Sequence, residues 1–160
     1  MDDATRPPTL LELPSYLAGA VARVGHRLLV EALAEHGLRL PHFAVLAALS
    51  DFGPTAQHEL ADRLAINRSH LVGYLDEVEG RGFVRRERDP ADRRRQLVTL
   101  TAAGRSQVRR LREVALRSQD AFLGSLSAAE RATLVTLMRR VVEDADRDRT
   151  GEPEADDRPW

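Results

Sequence analysis

Apolar residues recur at helical spacing along most of this 160-residue chain, and strand-like runs interrupt them only near the middle. Leu17, Val21, Val24, Leu28 and Ala32 make one stripe between Leu13 and His36, with Gly37 as its stop. Pro41 suits the first turn of a second helix carrying Phe43, Val45, Leu46 and Leu49 as far as Gly53-Pro54. Thr55 is expected to cap a third helix with Leu60, Ala61 and Leu64 inward. Asn67 then reads as the N-cap of a fourth, whose Leu71, Val72, Leu75 and Val78 point to the core and whose end Gly80 and Gly82 mark. Phe83–Arg86 and Gln96–Leu100 read as strands, joined by a loop that holds Arg93-Arg94-Arg95. Thr101 caps a fifth helix with Val108, Leu111, Ala115 and Phe122 on one side. Ser127 and Glu130 have the spacing of a capping box, opening a sixth helix with Leu134, Leu137, Met138, Val141 and Val142.

Helix, turn, helix, strand, arginine-tipped loop, strand is the order of a winged helix-turn-helix. The expected fold is mainly α, with a small two- or three-stranded antiparallel wing and long helices on either side. Residues 37–101 form the winged domain, 13–36 and 102–146 a helical dimerisation region, 1–12 a flexible arm and 147–160 an acidic disordered tail. The flanking stripes exceed what a small winged domain can cover, so they pack on each other or on a second copy. A two-fold dimer would present two recognition helices to a palindromic site with half-sites about one DNA turn apart. A monomeric bundle with a wing is the alternative.

Net charge is −1, but it is unevenly spread. Between Arg63 and Arg117 there are 14 Arg and 7 acidic residues, whereas Glu143 to Trp160 holds 8 acidic residues and 3 Arg. A basic middle is the electrostatic footprint expected for phosphate, or else an arginine-rich solvated face. All 24 basic residues are Arg, which reads as a trace of GC-rich coding rather than of mechanism. Cys is absent, which excludes disulfides, thiolate zinc sites and cysteine redox sensing. No run approaches the length of a membrane span, and a cytoplasmic protein with no membrane partner is expected.

At the start of the fourth helix, Asn67, Arg68 and Ser69 are placed to hold phosphate, because backbone N–H groups and the positive dipole end point outward there. His70, Gly73 and Tyr74 lie on or near the face that would enter a major groove. Gly73 is explained by close approach of DNA or by close helix packing, and Tyr74 by a sugar-phosphate contact or a partly buried anchor. In the loop, three consecutive arginines repel one another and suit the narrow minor groove, with Arg93 as the expected intruder. Arg85, Arg86 and Arg88 track the DNA backbone or are solvated strand ends.

Glu59-Leu60-Ala61, Leu75-x-x-x-Glu79-x-x-Gly82, Asp89-Pro90-x-Asp92-Arg93-Arg94 and Leu100-Thr101-x-x-Gly104 together resemble the core of the MarR (multiple antibiotic resistance regulator) family, and the flanking helices fit its order from about Leu13 to Asp146. The resemblance implies a homodimeric transcription regulator, often a repressor, that binds double-stranded DNA and is released by a small ligand. It further implies that Asp92 and Asp89 brace the wing by pairing with Arg94 or a neighbour. The family's ligand cleft lies between dimer helices and winged domain, which here makes Arg23, His26, Arg27, His42, Phe43 and Arg112, with Arg109, the candidates for an aromatic carboxylate or phenol.

No Gly-rich phosphate loop, HExxH or G-x-S-x-G run occurs, and Ser69 and His70 are adjacent on a helix and diverge. An enzyme is therefore not expected, nor a cofactor. His36 and His42 with Glu35 are too few for a metal site. The alternative of another class is a winged helix for protein contacts that never touches DNA. It would leave the three-arginine wing without a purpose.

Overall fold

The computed structural model describes residues 6–150, with side chains through Arg147. Its elements run α1 (Pro8–Leu11), α2 (Pro14–Ala34), α3 (Leu40–Phe52), β1 (Thr55–Ala56), α4 (Gln57–Leu64), α5 (Arg68–Gly80), β2 (Val84–Arg88), β3 (Gln96–Leu100), α6 (Ala102–Phe122) and α7 (Ala128–Thr150). Two units are distinguished, one ending at Phe122 and the other beginning at Leu123.

In the first unit, Leu33, Leu46, Leu60, Leu71, Leu75 and Leu111 come from five helices into one buried cluster. Burial of side chains of this size stabilises by about 1.5–3 kcal/mol each. The wing sheet has the order β1-β3-β2, all pairs antiparallel, with Thr55 opposite Val98 and Val84 opposite Leu100. Thr55 is therefore a strand residue rather than the expected cap. Its hydroxyl donates to Gly53 O at 2.9 Å, and the residue before α4 is Ala56, which makes no side-chain cap. Val72, expected inside, is 39% exposed, because the face set by Leu71, Leu75 and Val78 turns it outward.

Other punctuation follows the chemistry of the residues. Gly37 ends α2 at φ +66° and Gly82 follows α5 at φ +72°, a region costly for residues with a Cβ. Asn67 Oδ1 accepts the Ser69 N–H at 2.9 Å, and Thr101 Oγ1 accepts the Gly104 N–H at 3.0 Å. Gly104 lets α6 lie against the wing: a Cβ there would stand 1.9 Å from Phe83 O. Residues 8–11 of the expected arm form a short helix.

In the second unit, Ser127 N–H donates to Glu130 Oε2 at 2.8 Å, and Glu130 N–H to Ser127 Oγ at 3.3 Å. The Ser127 hydrogen bonds hold the Glu130 carboxyl below its usual range. The helix they open runs to Thr150, four residues into the segment expected to be a disordered tail. The rest of that tail, and residues 1–5 of the arm, lie outside the described residues.

Candidate nucleic-acid interface

Helix α5, the expected recognition helix, presents a groove of about 280 Å³ lined by Ser69, His70, Gly73, Tyr74 and Glu77. Gly73 is exposed, and a Cβ built on it meets nothing within 4 Å, so close packing within the chain does not explain this glycine. His70 is exposed beside it. Tyr74 is half-buried: its ring meets that of His42 edge-on at 5.6 Å, and the Arg39 guanidinium lies 5.4 Å from its centroid. Asn67 and Ser69 are tied to each other, since both the N–H and the hydroxyl of Ser69 donate to Asn67 Oδ1. The Ser69 amide is thus already satisfied, which narrows the phosphate role expected of it. Arg68 reaches Asp62 at 3.4 Å with 71% of its side chain exposed, a weak pairing.

The wing arginines separate into two groups. Arg95 Nη2 donates to Glu59 Oε1 on α4, so Arg95 is the side chain that ties the loop to the domain. The resemblance implies that Asp92 and Asp89 pair with Arg94 or a neighbour; of Arg94 only the backbone is held, its N–H donating to Asp92 Oδ1 at 3.0 Å. Asp89 Oδ1 likewise accepts the Ala91 N–H at 2.8 Å. Both aspartates do brace the loop, though through amides rather than guanidinium groups. Arg86 is half-buried and committed to carboxylates of the fold rather than to solvent or DNA. With 18% of its side chain exposed, it donates to Glu79 at 2.6 Å and Asp76 at 2.5 Å, pinning β2 to α5. Hydrogen bonds from Arg86 hold the Glu79 carboxyl below its usual range, and those same bonds raise the guanidinium. Arg85 pairs with Glu87 at 3.2 Å. Arg88, Arg93 and Arg94 are exposed and make no ion pair among the described residues. Arg68, Arg94 and Arg95 meet around one cleft of about 250 Å³, with Gln57, His58 and Gln96. The start of α5 and the wing thus meet at one cleft.

The ligand candidates do not come together in the same way. Arg23, His26 and Arg112 are exposed, Arg27 pairs with Glu31 at 3.5 Å, and Phe43 packs half-buried against the core. His42 is 1% exposed and committed to internal partners. Its Nδ1 accepts the Arg39 N–H at 3.1 Å, which leaves the proton on Nε2, 3.1 Å from Glu77 Oε2. Burial pushes its pKa below the ordinary value of 6.5, against the pull of Glu77. Its burial and internal bonds correct its place among ligand candidates. Sequence reasoning does not single out Arg39 or Glu77, and it finds Glu59 and Glu79 only as motif residues without their pairing roles. Their common signal is a charge at the edge of an apolar face, which becomes informative only when the opposing element is known. No helix among the described residues is long and apolar enough to cross a membrane.

Residues 38–95 match the MarR family model. Among curated proteins, the chain is 34% identical over 105 residues to the transcriptional regulator HosA of Escherichia coli, covering 66% of this chain and 78% of HosA. It is 32% identical over 101 residues to the transcriptional repressor NicR of Pseudomonas putida, covering 63% of this chain and 64% of NicR, just under two thirds of that protein. Among solved structures, Bordetella bronchiseptica BpsR, whose DNA binding is regulated by 6-hydroxynicotinic acid, superposes with a TM-score of 0.72 at 28% identity, over 86% of this chain and 98% of BpsR. These relatives are regulators of transcription rather than enzymes. Fold, wing and relatives agree: the chain belongs to the MarR family of winged-helix transcriptional regulators.

Proposed function

We propose that the protein is a homodimeric DNA-binding regulator, acting as a repressor, that reads a pseudo-palindromic operator and is released by a small aromatic or phenolic ligand. The observation that carries the DNA reading is the division among the wing arginines. Glu59, Asp76 and Glu79 neutralise Arg95 and Arg86, while Arg93 and Arg94 stay uncompensated at the tip, against the electrostatic interest of the folded chain. Such a tip suits the minor groove, with α5 in the adjacent major groove and Gly73 admitting close approach. Arg68 and Arg94, around their shared cleft, take the phosphates between the two grooves.

Repression and ligand release rest on likeness to NicR and BpsR. Arg23, His26, Arg27, Phe43 and Arg112 remain the candidate ligand residues. Dimerisation rests on the apolar side chains at the start of α2 and in α6 and α7 that stay exposed, among them Leu13, Leu116 and Leu137.

The test is selection of random duplexes on the purified protein at two salt concentrations. A two-fold symmetric motif with half-sites about one turn apart, bound less tightly at higher salt, is expected. Weak binding without enrichment, lost in salt, would overturn operator reading by the protein as purified.

A further inference from the structure

We propose that Arg39, outside both the recognition helix and the wing, is a DNA-phosphate contact, preset beside α5 by Glu77 and Tyr74 with buried His42 holding Glu77. The inference rests on the DNA-binding reading above and deepens it.

Arg39 precedes α3, yet its guanidinium belongs to the recognition surface. It lies 5.4 Å from the Tyr74 centroid, and Nη2 donates to Glu77 Oε1. Tyr74 and Glu77 are two of the five residues lining the groove on α5, so Arg39 stands at the rim of that groove. Its side chain is nevertheless 59% exposed. A surface ion pair of this kind contributes about 0–1 kcal/mol, too little to explain the arrangement by stability alone. The docking of α3 on α5 is already secured by the buried Val45, Leu46, Leu71 and Leu75.

The arrangement makes electrostatic sense against a polyanion. Glu77 would otherwise present an uncompensated carboxylate beside the groove, where it would repel phosphate or accept from a cytosine amine. Both of its oxygens are taken by the start of α3: Oε1 by Arg39, and Oε2 by His42 at 3.1 Å. Glu77 is therefore a positioning residue, turned away from base reading. A guanidinium has five N–H donors in a planar fork, so one can serve Glu77 while others bind a phosphate. The Tyr74 ring and the Glu77 carboxylate hold the guanidinium beside α5 before DNA arrives, and less rotamer freedom is lost on binding.

The test uses the operator recovered by duplex selection, an unrelated duplex, and salt titrations of both, with thermal unfolding as a folding control. Arg39→Ala is expected to weaken binding about tenfold on both duplexes and to lower the salt slope by about one counterion. Arg39→Lys should restore the slope but only part of the affinity. Glu77→Gln should raise affinity for the unrelated duplex and reduce discrimination in favour of the operator, which a purely structural contact would not do. Unchanged affinity and slope in Arg39→Ala, while the wild type still selects a motif, overturns this inference alone. So does a loss confined to one base-pair position, which would make Arg39 a base reader. Failure of the wild type to bind DNA at all overturns the parent reading together with this one.

Discussion

A β-carbon added at Gly73 would meet no atom within 4 Å apart from its chain neighbours and its own helix backbone, and glycine inside a helix costs about 1 kcal/mol relative to alanine. Gly73→Ala should therefore stabilise the free protein, raising its melting temperature by about 2–4 °C. The same methyl group would stand where DNA approaches, and operator affinity should fall. A gain in stability with undiminished affinity would remove Gly73 from the contact surface. His42 makes the stability of the fold depend on pH. Its folded-state pKa lies below 6.5, so the unfolded chain takes up protons first as the pH falls. The stability this contributes is present above about pH 6.5 and is lost as the pH drops through that value, levelling off below the folded pKa. Protonation would also place a hydrogen on Nδ1, opposite the Arg39 N–H, with Arg39 and Arg81 opposing the new charge. In denaturant titrations at pH 8 and 5.5, His42→Gln should start lower but change less between the two. An equal change in both proteins would assign the effect to other groups.

The wing is an element in which like residues do unlike work. Replacing Arg93 or Arg94, exposed and unpaired, should weaken operator binding and leave stability within about 0.5 kcal/mol. Arg86→Ala should do the reverse at its origin. It leaves Glu79 and the end of α5 without their partner, costs about 1–3 kcal/mol, and reduces DNA binding only because β2 loosens. Melting temperature and operator affinity measured on the same variants separate the two groups, and a destabilising Arg94→Ala would contradict the division. In the sequence these arginines look alike, since what distinguishes them is a carboxylate on another element. Arg95 meets Glu59 from 36 positions away and Arg86 meets Asp76 from 10. Local signals were legible where the chemistry is local. The Asn67 cap, the Ser127–Glu130 box and the long helices follow from neighbours within a turn or from apolar period. The two-residue strand β1 was not legible, because Thr before a helix is also a good cap and only pairing with β3 decides. Val72 failed for a related reason: it adjoins Leu71, and one residue's rotation moves it off the buried face.

For the whole molecule, the question left by packing is what covers the apolar side chains that the chain itself does not. In the first unit, α2 and α6 pack closely enough that a Cβ on Gly25 would stand 3.0 Å from the Phe122 ring, yet Leu13 is 47% and Leu116 59% exposed. In the second unit, α7 leaves Val135, Leu137, Met138, Val141 and Val142 each about half exposed or more. A helix with this much uncovered apolar surface is a poor final state in water. A second copy would bury such faces around a two-fold axis. It would also set two copies of α5 against successive half-sites, converting the second half-site contact into an intramolecular step with a large gain in avidity. Leu137→Glu combined with Val141→Glu should therefore lower the mass measured by sedimentation from dimer to monomer. Operator affinity should fall far more than affinity for a single half-site duplex, because each winged domain keeps its own contacts and loses only its partner. A variant that stays dimeric would place the interface on the exposed side chains of the first unit instead. A variant that becomes monomeric yet keeps full operator affinity would show that the palindrome is not read by two linked helices.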